Sequence, residues 1–323
     1  MKAIRYHAYG SPDVLQLEDI DVPVVGDDAV LVRVKAASVN PVDFHLMRGT
    51  PYFVRLQTGR SRPKITSLGM DMAGVVEAVG KDVTGFEPGD EVFGHCRGTL
   101  AEYVSVRAHR AVLRKPANVT FEQAASVPVA AYTALQALRD KGRIQPGHRV
   151  LVNGAAGGVG TFTVQIAKAY GAEVTGVCST RNVEMVRSIG ADQVIDYTKD
   201  DFTRTGLRYD LMVDIAGNRT LAENRRVLAP NGILVGVGGP IEGNWIAPLI
   251  RPLAMLILSR FVSQKMAPML AHESRDDLVV LRELLETGRV SPVIDRTYPL
   301  SQVPEAMRYL EAGHAQGKVV ITV

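Results

Sequence analysis

An apolar strand that runs into a glycine-rich turn and then a helix constrains the fold more than any other segment. Residues 150–172 read VLVNGAAGGVGTFTVQIAKAYGA. The glycines recur as Gly154-x-x-Gly157-x-x-Gly160, with Ala155 where the commoner GxGxxG motif has its first glycine. Such a turn directs backbone N–H groups and the positive end of a helix at one point, which favours a phosphate. A tight strand–helix turn without a ligand would use the same residues, so the surrounding pattern decides between the two.

That pattern is a regular alternation of strands and helices. Amphipathic helices separate apolar strands that are predicted near residues 149–153, 173–178, 193–196, 210–215 and 232–237. Near-continuous apolar strands joined by helices predict a parallel sheet covered on both faces. In this context the turn predicts a Rossmann-type dinucleotide site, where glycines let the pyrophosphate approach the backbone.

The segments on either side of this α/β region have a different residue pattern. The first ~120 residues are short strand patterns punctuated by turns, which is typical of an all-β region. Near the other end, residues 275–288 predict an amphipathic helix. The expected fold class is therefore α/β, with a doubly wound parallel sheet and a mostly-β domain split around it. We expect the β domain at residues 1–124 and 265–323 and the nucleotide-binding domain at residues 125–264.

Composition excludes several classes of protein. The 323 residues suffice for two domains at roughly 150 residues each. The net charge of +3 comes without a Lys/Arg-rich block, so no nucleic-acid partner is expected. Two cysteines, Cys96 and Cys178, cannot form a disulfide framework or a four-cysteine zinc lobe. There is no signal-peptide pattern, and residues 246–258 fall short of the ~20 apolar residues that span a bilayer. We therefore expect a cytoplasmic protein without a membrane partner.

The residues after the second strand of the α/β region concern the type of dinucleotide. NAD sites usually carry an acidic residue ~20 residues after the glycine motif, where it binds the ribose 2′-OH. Here residues 178–182 read CSTRN. Ser179 and Thr180 would donate to a 2′-phosphate, and Arg181 would pair with it. The sequence thus favours NADPH over NADH, with a solvated arginine at a helix start as the alternative.

Several segments in combination resemble the medium-chain dehydrogenase/reductase superfamily, and in particular its zinc-independent quinone oxidoreductase-like branch. They are NPVDFHLMRG (40–49), LGMDMAGVVEAVG (68–80), FEPGDEVFG (86–94), VPVAAYTAL (127–135), NGAAGGVGTFTVQIAKAYGAEV (153–174), GADQVIDY (190–197) and GKVVITV (317–323). The resemblance covers essentially the whole chain. It implies a GroES-like β domain interrupted by a Rossmann domain, and a homodimer paired through the edge of the Rossmann sheet.

The glycine pattern and this resemblance together nominate the cofactor-binding residues. They are Thr133, Gly154, Ala156, Gly157, Gly158, Val159, Gly160, Ser179, Thr180, Arg181, Tyr197, Gly217, Asn218, Gly236, Gly238 and Lys318. The resemblance implies that Thr133 lies near the nicotinamide and that Tyr197 flanks the 2′-phosphate. For Lys318 the alternative is a solvated lysine.

The zinc-dependent members of the superfamily differ from this chain at their metal ligands. Asn40 stands where they carry a cysteine, and Gly69-Met70-Asp71 stands where they carry Gly-His-Glu. Amide and thioether groups are poor substitutes for imidazole and thiolate at Zn²⁺. His45 and His95 are close in sequence, but two isolated histidines are more often surface or hydrogen-bonded residues. We therefore expect no zinc.

Hydride transfer without a metal suits acceptors that conjugation already activates. Quinones and α,β-unsaturated carbonyls gain an oxyanion that hydrogen-bond donors can stabilise. The resemblance implies Asn40, Asp43 and Tyr52 as candidate catalytic residues. Asn40 and Asp43 would equally begin a helix, as N-cap and as an acid at N3, and Tyr52 would equally belong to a lid loop.

Three functions remain open at this stage. The first is an NADPH-dependent reductase of quinones or enones, the second a metal-free NADP-dependent alcohol dehydrogenase, and the third a non-catalytic NADPH-binding sensor. The apolar segment 245–266 has two interpretations. Trp245 and Met255 would line a pocket for a hydrophobic small molecule, or the segment would form a subunit contact.

Overall fold

The computed structural model describes residues 1–238 and 247–323, which form two compact units. The β unit comprises Met1–Tyr132, Glu273–Thr287 and Pro292–Val323. The α/β unit comprises Thr133–His272 and Gly288–Ser291. The main divisions fall later in the chain than the boundaries expected after residues 124 and 264.

The secondary structure follows the predicted order of elements. The strands are β1 Lys2–Arg5, β2 Gln16–Asp19, β3 Ala29–Val39, β4 Asp71–Val79, β5 Glu91–His95, β6 Tyr103–Arg107, β7 Val112–Arg114, β8 Arg149–Asn153, β9 Glu173–Cys178, β10 Gln193–Asp196, β11 Tyr209–Asp214, β12 Leu228–Gly236, β13 Lys265–Pro268, β14 Ile294–Pro299 and β15 Lys318–Thr322. The helices are α1 Pro41–Arg48, α2 Val54–Thr58, α3 Phe121–Ala125, α4 Pro128–Gln136, α5 Gly158–Ala169, α6 Val183–Ser188, α7 Leu221–Arg226, α8 Ala247–Leu258, α9 Arg275–Glu286 and α10 Val303–Glu311.

The α/β unit contains the predicted parallel sheet. Its strand order is β10-β9-β8-β11-β12-β13, and every neighbouring pair is parallel. The central strands are buried because helices and apolar side chains cover the sheet, as the uninterrupted apolar pattern predicted. The edge strand β13 was not predicted, because it is short, ends in Pro268 and pairs on one side only.

The β unit is built on a larger sheet with the order β14-β15-β3-β4-β5-β7, and β6 also pairs with β3. Its pairs are antiparallel apart from β14 with β15. The register sets Ser38 of β3 opposite Asp71 of β4, and Asp71 opposite His95 of β5. On the other side of β3, Val319 of β15 lies opposite Val39. This register brings polar residues from distant parts of the chain to one place.

Each unit has its own apolar core. Met255 on α8 is buried in the core of the α/β unit with Leu151, Met212 and Leu234, so it packs the fold rather than lining an open surface. Trp245 lies outside the described residues. Within residues 1–238 and 247–323, no helix combines the length and the hydropathy needed to span a bilayer.

Candidate functional site

The glycine turn of the α/β unit joins β8 to α5. Gly154 has φ +93°, in the left-handed region, and a Cβ on Gly160 would lie 2.1 Å from the Gly154 carbonyl oxygen. Both glycines are therefore required by the turn itself. A Cβ on Gly157 would meet only the Gly154 oxygen, at 3.8 Å, so the fold does not demand a glycine there.

Gly157 is instead the residue that leaves the helix terminus accessible. It is the N-cap of α5, and its lack of a side chain means that no side-chain group caps the helix. The first N–H groups of a helix have no intrahelical acceptors, and the N-cap residue here has no side chain to accept from them. The segment Gly158–Val159 is partly exposed and completes this turn, with Ala156 buried beneath it. The arrangement fits the pyrophosphate of a dinucleotide.

A buried carboxylate organises the neighbouring strand end. Asp214, the last residue of β11, accepts hydrogen bonds from Asn153 Nδ2 at 2.8 Å and from the Gly217 N–H at 3.0 Å. Asn153 Nδ2 also donates to Asn218 Oδ1 at 3.0 Å. The Arg251 guanidinium pairs with the other carboxylate oxygen and donates to the Gly217 carbonyl at 3.0 Å. The predicted cofactor residues Gly217 and Asn218 are thus held by side chains that sequence analysis did not identify.

The remaining cofactor candidates of this unit lie at strand or helix positions. Gly236 ends β12 against the Met255 thioether, and a Cβ on Gly238 would lie 2.7 Å from the Ile215 carbonyl oxygen. Thr133 is buried within α4. Close packing therefore accounts for the two glycines without reference to a ligand.

Residues after β9 carry the predicted 2′-phosphate contacts, and one of them has a different partner. The Thr180 hydroxyl donates to Asp196 Oδ2 at 2.6 Å. Hydrogen bonds from Thr180 and then from Thr198 lower the pKa of Asp196 to about 2. Asp196 pairs with Cys178 across β9 and β10, so the acid that was sought at the end of β9 comes from the adjacent strand. The hydroxyl proton of Thr180 is therefore engaged in the hydrogen bond to the Asp196 carboxylate.

Ser179, Arg181 and Tyr197 surround the same strand ends. Ser179 accepts a hydrogen bond from Asn182 Nδ2 at 3.2 Å. Arg181 and Tyr197 are both exposed, and the backbone N–H of Tyr197 donates to the Cys178 carbonyl. A cation and an aromatic ring therefore lie on the solvent side of this edge.

The β unit contains a buried polar cluster of Ser38, Asn40, Asp71 and Lys318. The Lys318 ammonium donates to Asn40 Oδ1 at 2.5 Å and lies 3.5 Å from Asp71 Oδ2. Asp71 Oδ2 also accepts from Ser38 Oγ at 2.8 Å and from Asn40 Nδ2 at 2.7 Å, while Oδ1 accepts from the Val129 N–H at 2.9 Å. The alternative interpretation of Lys318 as a solvated lysine is wrong, because Lys318 is only 3% exposed.

The electrostatics of the cluster favour an ion pair. Burial alone would raise the pKa of Asp71, but the Lys318 ammonium, with help from His95 and Asn40, lowers it below its usual value. Burial lowers the pKa of Lys318, and the two carboxylates Asp71 and Asp43 oppose that effect. A buried charge is tolerated only when it is paired and hydrogen-bonded, which these contacts achieve.

Asp43 serves the start of α1. Its Oδ2 accepts from the Asn40 N–H at 2.8 Å and its Oδ1 from the Gly69 N–H at 3.0 Å. Burial, reinforced by Asp71, raises the pKa of Asp43 to about 7, although the two backbone donors act in the opposite direction. Asn40 occupies the expected N-cap position of α1, and its side chain also bonds to Lys318 and Asp71, so it joins the start of the helix to the buried cluster.

Tyr52 lies between α1 and α2, beside an arginine. The Arg55 guanidinium lies 4.7 Å from the centre of the Tyr52 ring and 4.6 Å from that of Tyr9, and Arg55 Nε donates to the Gly49 carbonyl at 2.9 Å. His45 on α1 is partly buried, which lowers its pKa. These contacts give the Tyr52 loop a defined structure.

The two units resemble domains of known oxidoreductases. Residues 26–117 match the alcohol dehydrogenase GroES-like domain family, and residues 189–321 match the zinc-binding dehydrogenase family. The chain is 37% identical to 2-methylene-furan-3-one reductase of Solanum lycopersicum, over 99% of this chain and 79% of that protein. It is 32% identical to human quinone oxidoreductase, over 99% of this chain and 97% of that protein.

Solved structures similar to this chain include further quinone oxidoreductases. The quinone oxidoreductase from Coxiella burnetii superposes with a TM-score of 0.86 at 30% identity, covering 100% of this chain and 99% of that one. The Escherichia coli quinone oxidoreductase complexed with NADPH gives 0.83 at 25% identity, covering 100% of both chains. The chain therefore belongs to the medium-chain dehydrogenase/reductase superfamily, and it is an oxidoreductase.

The name of the second matching family implies zinc, and the residues of this chain do not fit that metal. At the positions in question Asn40 offers an amide, Met70 a buried thioether, and Asp71 a carboxylate that already neutralises Lys318. Within the described ranges 1–238 and 247–323, no group of three or more His, Cys, Asp or Glu side chains is arranged to hold a metal ion. A tetrahedral zinc site needs such a group.

Proposed function

We propose that this protein is an NADPH-dependent, zinc-independent reductase of quinones or α,β-unsaturated carbonyls. The observation that carries the proposal is the glycine turn, whose Gly157 leaves the N-terminus of α5 accessible for a pyrophosphate. Relatives at 37% and 32% identity are named a 2-methylene-furan-3-one reductase and a quinone oxidoreductase. The bound dinucleotide supplies the hydride in such reactions.

The residues of this chain take distinct roles in the proposal. The turn would bind the pyrophosphate, and the loop that Asp214 and Arg251 stabilise would help to hold the dinucleotide. We assign Asn40 and Lys318 to holding the buried polar cluster rather than to contacting substrate or cofactor, because both are almost fully buried and bonded to each other. Asp43 holds the start of α1.

We base the NADPH preference on Arg181 and Tyr197. Replacing Asp196 tests the opposite preference, which is for NADH. Arg181→Ala should weaken NADPH binding about 10-fold or more, since a hydrogen bond to a charged group contributes ~1.5–3 kcal/mol. NADH affinity should not change, and Arg187→Ala, which removes an exposed arginine paired with Glu184, serves as the control. Tighter NADH binding that Asp196→Asn abolishes would instead assign the ribose hydroxyls to Asp196 and refute the NADPH proposal.

The reaction is tested by following NADPH absorbance with 1,2-naphthoquinone and with a 2-alkenal. Oxidation with either acceptor supports the reductase, and the ratio of the two kcat/KM values selects the substrate class. Tight NADPH binding without oxidation by any acceptor would favour the sensor. NADP-dependent oxidation of a simple alcohol without added metal would favour the dehydrogenase.

We also propose that the exposed face of α8 forms a subunit interface. Leu249, Ile250, Leu253, Leu256 and Ile257 are each more than half exposed in the single chain, which is a large apolar patch for a monomer. Leu253→Asp should reduce the mass measured by light scattering from dimer to monomer. A monomeric parent protein would refute this assignment.

A further inference from the structure

The β unit contains a surface pocket of about 350 Å³ whose residues take no part in the proposed reductase reaction. Two arginines, Arg5 and Arg97, line this pocket together with the hydroxyl-bearing side chains of Ser67, Tyr103 and Ser105. We propose that the pocket binds a small organic carboxylate through the two guanidinium groups. All of the lining residues lie within residues 1–105, so the site belongs to the β unit alone.

Backbone pairing holds one wall of the pocket in place. Arg5, the last residue of β1, forms an isolated antiparallel bridge with Ser67. The neighbouring Tyr6 N–H donates to the Thr66 carbonyl at 3.0 Å. These contacts set Arg5 beside Ser67 at the pocket wall.

Strand β6 supplies another wall. Tyr103 and Ser105 are partly exposed, and they alternate with the buried Val104 and Val106. Successive side chains of a strand point to opposite faces, so the Tyr103 and Ser105 side chains share the face away from the core. Their hydroxyl groups add hydrogen-bond donors to those of the arginines.

The two arginines have donors without acceptors. Arg5 Nε is buried, and in the part of the chain that the structure describes it has no hydrogen-bond partner. In residues 1–238 and 247–323 neither Arg5 nor Arg97 forms an ion pair. A guanidinium stays protonated and donates only, so its N–H groups require an acceptor, and a charged acceptor is bound more strongly than a neutral one. Its planar fork matches the two oxygens of a carboxylate.

The charge and size of the pocket select the class of anion. The exposed Asp21 also lines the pocket, so two cationic side chains and one anionic side chain give a net side-chain charge of +1. That charge matches a carboxylate monoanion better than a phosphate dianion. The volume falls within the ~300–1,000 Å³ that small-molecule pockets span, and Ile20 and Pro23 add apolar lining. The ligand therefore carries a short apolar group beside its carboxylate.

Another arginine of β6 provides a matched control. Arg107 ends the same strand as Tyr103 and Ser105 but is outside the lining of the pocket. Its Nε lies 3.6 Å from Asp28 Oδ2, and both side chains are more than half exposed. Arg107 is thus a surface arginine that already has a carboxylate partner.

The test is a titration of the full-length protein with sodium butyrate at constant ionic strength, followed by the amide NMR shifts of Gly98 and Ser105, which both line the pocket. We expect saturable shifts at both amides, and no shifts with 1-butanol at the same concentrations. Binding of 1-butanol as tight as that of butyrate would overturn the role of the arginines.

The variants identify the groups that hold the carboxylate. Arg5→Gln and Arg97→Gln should each weaken butyrate binding about 10-fold or more, the loss expected for a hydrogen bond between charged groups, and Arg107→Gln should leave it unchanged. Asp21→Asn should strengthen binding about 2-fold to 5-fold, because it removes a like charge at an exposed position.

The outcomes decide the proposal without reference to NADPH oxidation, so its failure is distinct from failure of the reductase. Absence of saturable shifts would overturn it, as would wild-type affinity in both arginine variants. Tighter binding of inorganic phosphate than of butyrate at the same amides would overturn the carboxylate class and assign the pocket to phosphate monoesters. Arg97 is exposed, so Arg97→Gln decides the matter if Arg5→Gln does not fold.

Discussion

Replacing Lys318 by methionine tests whether Lys318 and Asp71 form an ion pair in the buried cluster. If they do, the variant leaves the Asp71 carboxylate buried without its lysine partner. Methionine keeps the length of the side chain and removes the ammonium. Asn40 Oδ1 loses a donor at 2.5 Å, while Asp71 keeps its hydrogen bonds from Ser38, Asn40 and the Val129 backbone and has His95 Nδ1 at 3.9 Å. Removing one partner of a buried pair costs about 3–5 kcal/mol, and we expect Lys318→Met to lose a free energy of unfolding in that range.

The dependence of this loss on pH identifies its cause. In the wild type the lowered pKa of Asp71 means that its stabilising contribution is present above the unfolded pKa of about 3.9 and is lost only in more acidic solution. Without Lys318, burial dominates and raises the Asp71 pKa, so the folded variant is penalised as the pH rises. The deficit relative to wild type should therefore be smallest near pH 4 and largest at neutral pH.

The assay is urea unfolding followed by circular dichroism at several pH values. Lys81→Met is the control, because the Lys81–Asp27 pair is largely exposed and such pairs contribute less than about 1 kcal/mol. Lys318→Met combined with Asp71→Asn should be more stable at neutral pH than Lys318→Met alone. A deficit that is independent of pH, or no larger than that of Lys81→Met, would refute the ion-pair argument.

Three further predictions follow from other contacts. In the folded protein the pKa of Asp43 is raised to about 7, so the free energy of unfolding should fall as the pH rises between about pH 4 and 7. Asp43→Asn should remove this pH dependence from the urea midpoints. A pH dependence that survives in the variant would contradict the assignment. Gly160→Ala should destabilise the protein by about 1–3 kcal/mol in thermal melts, while Gly157→Ala should leave stability unchanged and weaken NADPH binding; equal effects on both measurements would be inconsistent with the turn geometry. Arg251→Met should accelerate hydrogen exchange at the Gly217 amide, because Asp214 loses its cationic partner, whereas the exposed Arg260→Met should not; unchanged exchange in both would argue against that role.

Periodic and local features were predictable from the sequence. Apolar runs separated by amphipathic segments predicted the strands of the parallel sheet, and the observed bounds differ by a few residues at most positions. The glycine turn and the helix that begins at Pro41 were also predicted. These features depend on spacing of 2 or 3.6 residues and on backbone conformations that few residues allow, so they are local properties of the chain.

The hydrogen-bond and ion-pair partners of individual side chains were much harder to predict from the sequence. Asn40 lies at the expected N-cap of α1, but its hydrogen bond to Lys318, which was expected to reach the cofactor or solvent, was not predicted. Asp196 and Asp214 were missed because the acids that matter at a parallel sheet edge come from adjacent strands rather than from a fixed spacing along one.

The sequence by itself determined the elements, their order and the turn that a dinucleotide requires, since short-range sterics and hydrophobic periodicity govern all three. Only the tertiary structure decided the polar cluster. The pairing of β3 with β4 and β15 sets Ser38 beside Asp71 and brings Lys318 from the far end of the chain to Asn40. Strand register depends on the packing of the whole sheet, because a shift of one residue would reverse every side chain and separate the charges.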